Sequence, residues 1–366
     1  MILFHFSFYS IICATFLLLY SNRSNKAAKA GMLLYTFITV LWLWVTLSFR
    51  KPAGDPWRYM RGLEDISTLS FSQLLTDEGP IGFTLLNWIV SLVSIKSEFF
   101  FSIIYLLCII PLYLAFREKY SKTDSSTLLM LYLLYPFYLT YLGSGFKQGI
   151  AFGFMLWGYS CLIGLDKSKP IKGLLLLFIA TLFHNSFWIA IVAFVAWRYW
   201  FRHRSIMWSI AILMLCISLS ILGLVEPVVR SILPASIVES LSFDEYFDDT
   251  FTSGAHYQSL NYRTGFRLDF AIFTVLPIAC FLLLRPPKLN ANREYHFLKI
   301  YCLLASGYFL LSFIPFSDRV AAFSWFLIPY ILYQIINTKK YSNIFVALML
   351  LTYSILILIY TKGYFQ

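Results

Sequence analysis

The stretch MLLYTFITVLWLWVTLSFRKPAGDPWRYMRGLEDIS, residues 32–67, decides the class of this chain. Its first half is apolar and long enough to cross a bilayer as a helix, which takes about 20 residues. Its second half crowds Arg50, Lys51, Asp55, Arg58, Arg61, Glu64 and Asp65 into one connection, with Trp57 and Tyr59 between them. Charge is scarce elsewhere. The 366 residues are 59% hydrophobic and 13% charged, with a mean hydropathy of +0.72, where a soluble domain carries about 25% charged residues. A water-soluble fold cannot hide that much apolar surface. The composition predicts an all-α polytopic membrane protein, a single integral membrane domain over residues 1–366.

Apolar runs recur near 2–20, 31–49, 81–95, 99–116, 125–142, 148–165, 171–183, 187–200, 205–224, 268–284, 297–314, 320–336 and 343–360. They are longer and more continuous than the roughly 10-residue alternating strands of a membrane barrel. About 11–13 transmembrane or re-entrant helices are expected. The first run has no basic segment before it and no small-x-small site after it, so we expect a retained span rather than a cleaved signal.

The net charge is +11, and most basic residues sit in short loops between runs. That pattern reads as topology rather than as nucleic-acid binding, and no nucleic-acid partner is expected. By the charge-bias rule SNRSNKAAK, REKYSK, DKSKPIK, RYWFRHR, RPPKLNANREYH and NTKK are cytoplasmic. GSGFK, FHNS, PFSDR and two longer loops, 50–80 and 225–267, then face outside. Three runs lie between SNRSNKAAK and REKYSK, and an odd number of crossings cannot join loops on one side. The short run 81–95 follows a Gly-Pro turn and is expected to re-enter; the alternative is a basic loop that breaks the rule. Two short halves of 171–200 flank FHNS, either as a hairpin with His184 near the outer surface or as one kinked helix. The basic flanks favour the hairpin.

Six cysteines all lie inside apolar runs, without CxxC or Cys/His spacing. Buried free thiols are expected, with no disulfide, no metal and no other cofactor. Trp42, Trp44, Trp57, Trp88, Trp197, Trp200 and Trp208 lie near run ends and read as an interfacial belt. Trp57 is also placed to stack on a sugar ring.

Several polar sets carry possible chemistry. Arg50, Arg58 and Arg61 offer planar donor forks that match phosphate oxygens, and Asp55 either holds one of them or accepts a proton. Lys147 and Gln148 open a run. A cation at a helix N-terminus opposes the macrodipole unless it snorkels to headgroups or an anion binds there. His184, with Asn185 and Ser186, is either a hydrogen-bonded structural residue or a general base. Tyr262, Arg263, Arg267 and Asp269, with His256 upstream, close the second long loop. The acidic patch 242–250 lacks metal-loop spacing. Asp318 and Arg319 pair between two runs, where an unpaired charge is costly. Arg50, Arg58, Lys147, Arg263, Arg267 and Arg319 all map outside, against the charge bias, and an anionic ligand handled there accounts for the exception.

At these residues the chain resembles the EpsG-type family of bacterial polysaccharide polymerases, similar in role to Wzy-like O-antigen polymerases. The resemblance rests on Asp55-x-x-x-Tyr59, on Lys147-Gln148 before Ile-Ala, on Phe-His184-x-Ser186 and on Asp318-Arg319. It covers roughly residues 45–335. Where the family usually has arginine this chain has Lys147, which gives up bidentate phosphate binding. The resemblance implies a glycosyltransferase-type enzyme of the bacterial inner (plasma) membrane, polymerising undecaprenyl-pyrophosphate-linked oligosaccharide repeats at the periplasmic face into O-antigen, capsule or exopolysaccharide. His184 or Asp55 would be the base. Arg50, Arg58, Tyr59, Lys147, Gln148, Arg263, Arg267, Asp318 and Arg319 would bind the pyrophosphates. The implied partners are the lipid-linked substrate, membrane lipids, a chain-length regulator and a flippase. The residues leave open a flippase or transporter of lipid-linked saccharide, a multispan glycan acyltransferase, and a passive structural subunit.

Overall fold

Continuous apolar sequence leaves a lipid-embedded backbone essentially one way to satisfy its own N–H and C=O groups within a segment, the helix. The computed structural model describes residues 2–74, 79–163, 169–232, 265–284, 291–313, 317–337 and 342–364, and every regular element among them is helical. The protein is an all-α membrane protein. α2 (Lys26–Ser48), α6 (Ser97–Arg117) and the stretch Asp318–Ile336 are long and apolar enough to cross a membrane. α7 (Lys122–Leu133) and α8 (Pro136–Gly143) meet the same standard only together and are bent by 77°, as a broken span or a re-entrant segment is. The bend falls where Pro136 lacks an N–H and holds Tyr135 in extended backbone. Six further apolar helices among the described residues are shorter, at 10–17 residues.

The chain forms two compact units, residues 1–191 with 332–366, and residues 192–331. In the first unit α6 packs against α9 (Phe146–Leu162), and α9 against α10 (Pro170–Phe183). Glycines allow the approach. A Cβ at Gly149 would stand 3.1 Å from Cys108 Sγ, and one at Gly158 would stand 2.9 Å from the Gly173 carbonyl oxygen. Without side chains at these crossings the helix backbones come together, as is common between membrane helices.

One end of this unit gathers the basic loops. Glu118, just past α6, accepts hydrogen bonds from Lys169 (2.8 Å), Lys172 (2.6 Å) and Trp157 Nε1 (3.1 Å). Partial burial pushes its carboxyl up, but these three donors outweigh that and hold it down at about 2. The Tyr333 hydroxyl donates to Asp124 (3.0 Å), and the Tyr20 hydroxyl donates to the Ile336 carbonyl (3.1 Å). The Arg23 guanidinium lies 4.2 Å from the Tyr20 ring centre. In this unit the ends of SNRSNKAAK, REKYSK and DKSKPIK, which the charge bias assigned to one side, thus lie at one end, the basic end; the opposite end is the distal end.

α2 leaves the basic end and α6 returns to it, with the Tyr105 hydroxyl bonded to the Val40 carbonyl (2.9 Å) where they pass. Between them α5 (Ile81–Val93) has 13 residues, about 20 Å of helix. A Cβ on Gly82 in its first turn would stand 2.8 Å from the Leu182 carbonyl oxygen. Both of its ends therefore lie near the distal end: Gly82 against the end of α10, and Val93 a short link before α6 begins at Ser97.

α10 and α11 (Trp188–Ala196) form the hairpin. Phe183 stacks on Phe154 with ring centres 5.8 Å apart, so α10 runs antiparallel to α9. Beyond the turn Phe187 contacts Phe152 (4.9 Å), and the Tyr159 hydroxyl donates to the Ala190 carbonyl (2.8 Å), so the chain heads back.

The connection 50–80 is not a plain loop. Residues 55–66 form α3, with Met60 and Leu63 buried and Arg58, Arg61, Glu64 and Asp65 exposed. Gly54 precedes it at φ 62°, a left-handed conformation that favours glycine. Pro56 and Asp55 then suit the first turn. The sequence shows this amphipathic spacing at Pro56, Met60 and Leu63, but twelve residues bounded by Gly and Pro also read as a charged loop.

In the second unit the central helix is α15 (Ala291–Leu310), where Leu298, Ile300, Tyr301, Cys302, Ala305 and Tyr308 are fully buried. Lys299 on this helix is also buried, and its ammonium donates to the carbonyls of Phe201 (3.0 Å), Arg202 (3.2 Å) and Arg204 (2.6 Å). It satisfies the carbonyl end of the π-helical turn Trp197–Phe201, where the helix dipole favours a cation. Trp197 is buried rather than part of an interfacial belt, and its Nε1 donates to His296 (3.3 Å).

Two stability outcomes follow from these contacts. Gly158→Ala and Gly173→Ala should each lower the melting temperature of the detergent-purified protein, at a cost of about 1–3 kcal/mol. Gly62→Ala, whose added Cβ meets nothing within 4 Å, should be neutral or stabilising. Glu118→Gln should cost about 1–2 kcal/mol at neutral pH, discounted for the exposure of the two lysines. The carboxyl is held below its ordinary 4.5, so its contribution is present above 4.5 and fades as pH falls towards about 2. The gap between wild type and variant should close over that window in acid-unfolding curves.

Candidate functional site at a broken helix

The site begins with the second break in the chain. α8 ends at Gly143 and α9 starts at Phe146, and α9 folds back beside α8, with the Tyr141 and Phe152 rings 5.1 Å apart. Depth is set by α6. Phe146 packs against Phe101, one turn inside the distal end, with ring centres 5.5 Å apart. The Tyr138 hydroxyl of α8 donates to the carbonyl of Cys108, midway along α6 (3.1 Å). Lys147 and Gln148 therefore open α9 about one turn from the distal end, with Gln148 buried.

Three elements close around this break. Arg50, just past α2, donates its Nη2 to the Gly143 carbonyl. Its guanidinium lies 5.6 Å from the Phe101 ring centre and 5.9 Å from that of Phe146. Tyr59 of α3 reaches inward, 5.1 Å from Phe146 and 5.4 Å from Phe83 of α5. The Lys147 ammonium sits 5.2 Å from Phe83 and 5.9 Å from Tyr59. The two cations thus rest against aromatic faces, whose negative quadrupole attracts them.

Polar atoms around the break are left unmatched. Arg50 Nε, Gln148 Nε2, Ser48 Oγ and Asn87 Oδ1 are buried without a hydrogen-bond partner in the structure. Gln148 is 7% exposed and Asn87 is 4% exposed. Each such group costs about 1–3 kcal/mol when left unpaired. The three near Gly143 and the start of α9 (Arg50, Ser48 and Gln148) all have hydrogens to donate.

The remaining sequence candidates fall in three places. Asp55 and Arg58 are both exposed and pair with each other at 3.5 Å, on the outer face of α3. Trp57 is exposed beside them, with Arg61 5.0 Å from its ring. His184 caps α10, and its Nδ1 lies 2.7 Å from Ser186 Oγ. The turn that carries it abuts the first turn of α5 through Leu182 and Gly82, next to Phe83. In the second unit Arg267 forms a two-pronged pair with Asp269 (2.6 and 3.2 Å) at the start of α14 (Leu268–Leu283). Its guanidinium lies 3.7 Å from the Phe270 ring centre. Asp318 and Arg319 begin α16 (Asp318–Trp325), with Asp318 half-buried and Arg319 exposed. Arg267, Asp269 and Asp318 all act electrostatically on the Tyr308 hydroxyl. Arg263, His256, Tyr262 and the patch 242–250 lie outside the described residues.

The structure therefore brings Arg50, Tyr59, Lys147 and Gln148 together, with the His184 turn adjoining them, and gathers Arg267 and Asp318 separately in the second unit. Sequence reasoning missed Ser48, Phe83, Asn87, Phe101 and Phe146. Asn87 carried a usable signal, as an amide inside the short apolar run 81–95; a phenylalanine in an apolar run carries none.

These features define a polytopic membrane protein with a polar, cation-bearing site at a tight turn between two helices. The chain belongs to the EpsG family, whose model it matches over residues 32–364. That membership marks it as a polysaccharide-polymerase-type membrane enzyme connected with exopolysaccharide. No curated protein and no solved structure matches it.

The aromatic cradle yields its own outcome. Phe83→Ala removes a face against which Lys147 rests and Phe146→Ala one against which Arg50 rests, and each should reduce polymer made in cells by about ten-fold. Membrane insertion, followed by a C-terminal tag, should be unchanged.

Proposed function

We propose that the protein polymerises oligosaccharide repeats carried on undecaprenyl pyrophosphate, at the periplasmic face of the bacterial inner membrane. The observation that carries this reading is the unmatched donor set at the start of α9. Arg50 Nε, Gln148 Nε2 and Ser48 Oγ are buried without acceptors, and Arg50 is held against Gly143 and Phe146 at the positive end of the 17-residue helix that Lys147 and Gln148 open. A pyrophosphate supplies only acceptor oxygens and negative charge, and so matches this set. A neutral leaving group does neither.

The reaction joins a hydroxyl of one repeat to C1 of the donor sugar on another. The C1–O bond to pyrophosphate breaks, and the leaving group departs with the bonding electron pair. Arg50, Lys147 and Gln148 stabilise the charge that develops on it. His184 is the base. With Nδ1–H donating to Ser186 Oγ, Nε2 is left to take the hydroxyl proton. Asp55 and Arg58 are exposed on α3 and stand at the entrance, where they meet the incoming polyanionic lipid. Arg263, Arg267, Asp318 and Arg319 serve the pyrophosphate of the second repeat. A chain-length regulator and a flippase are the expected partners, and the product is O-antigen, capsule or exopolysaccharide.

Reconstituted protein given lipid-linked repeats should yield a ladder of longer glycans. Lys147→Ala and Arg50→Ala should lower the rate at least 100-fold, and Lys147→Arg should retain activity. Transfer of intact repeats across vesicles with no change in glycan length would favour a flippase instead. Ser186→Ala should reduce kcat about ten-fold with KM little changed, because the imidazole loses its orienting partner while the phosphate site stays intact.

A further inference from the structure

Asn87 is not accounted for by the pyrophosphate. It lies on the buried face of α5 with Phe83, Thr84 and Val90, one helical turn from Phe83. Residues four apart on a helix stand side by side. Phe83 in turn touches both Tyr59 and Lys147. The first turn of the same helix abuts the segment that carries His184. Asn87 therefore stands one helical turn from the residue that touches Lys147, on the helix whose first turn abuts the His184 segment.

Its chemistry differs from that of its neighbours. The carboxamide oxygen is an acceptor, buried with no donor to meet it. An ionised pyrophosphate has no hydrogen to offer, so it leaves this atom unsatisfied. A carboxamide sets an acceptor and two donors side by side, the pattern that adjacent hydroxyls on a pyranose ring complement. The rings of Tyr59 and Phe83 supply apolar surface for the C–H face of such a sugar. A polar amide in a dry helix face that makes no bond of its own costs stability unless a ligand completes it.

We propose that Asn87 is a specificity-determining residue whose carboxamide hydrogen-bonds hydroxyls of the saccharide next to the lipid pyrophosphate. This rests on the lipid-pyrophosphate reading above. A site that tests the sugar through a buried amide rejects analogues that lack the matching hydroxyl, because the amide is then stranded.

The test uses the full-length protein in nanodiscs and two probes. One is undecaprenyl pyrophosphate without sugar; the other is lipid-linked oligosaccharide extracted from cells that lack the protein. Asn87→Leu should bind the bare lipid within two-fold of wild type and the saccharide-bearing lipid at least ten-fold more weakly. Its melting temperature should be unchanged or higher, because an unpaired amide has been removed. Equal loss for both probes, or loss for neither, would overturn the assignment of Asn87. The underlying reading fails by a different result: wild-type protein that does not bind the bare lipid, or Lys147→Ala protein that binds it as wild type does.

Discussion

Much of the first unit depends on how the gap between α8 and α9 is closed. Two helix ends inside an apolar body expose carbonyls at one and N–H groups at the other, and lipid satisfies neither. Arg50 answers the first by donating to the Gly143 carbonyl. That bond ties the end of α2 to the end of α8, and the Phe101–Phe146 contact fixes the same region against α6. The second end is left as a positive, donor-rich mouth with Lys147 and Gln148 in its first turn. A tight turn between two packed helices in this way gathers polar groups at one place without unfolding either helix.

The basic end shows the opposite strategy. There each charge has a defined partner: Glu118 takes two lysines and a tryptophan, and Asp124 takes Tyr333. In the second unit Lys299 is saturated by three carbonyls. These cations hold helices together through bonds to protein acceptors. Arg50 Nε is buried without one, and this separates structural charges from the ones assigned to chemistry. Exposure makes a further distinction. Asp55 and Arg58 pair in water, where such a pair contributes little to stability.

The helical class, the membrane setting and the clustering of basic loops were legible in the sequence, because continuous apolar length and charge bias are averages over many residues. The hairpin at His184 was legible from the shortness of its two runs. α3 was hidden because its charges drew attention away from the spacing of Pro56, Met60 and Leu63. The surroundings of Lys147 were hidden for a different reason. Hydropathy over 125–165 looks like two spans joined by a loop, and only the contacts of Tyr138 with Cys108 and of Phe146 with Phe101 show α8 and the start of α9 packed together along α6. Asn87 needed the structure, since an amide in an apolar run reveals its lack of partners only once neighbours are in place.

The account turns on sidedness: the site opens on the face opposite the basic loops. Labelling with a membrane-impermeant maleimide tests this most directly, in chains whose native cysteines are replaced and which carry either Asp55→Cys or Lys169→Cys. The account predicts that Asp55→Cys labels in spheroplasts with an intact inner membrane and that Lys169→Cys labels only after that membrane is permeabilised. The reverse pattern would contradict it.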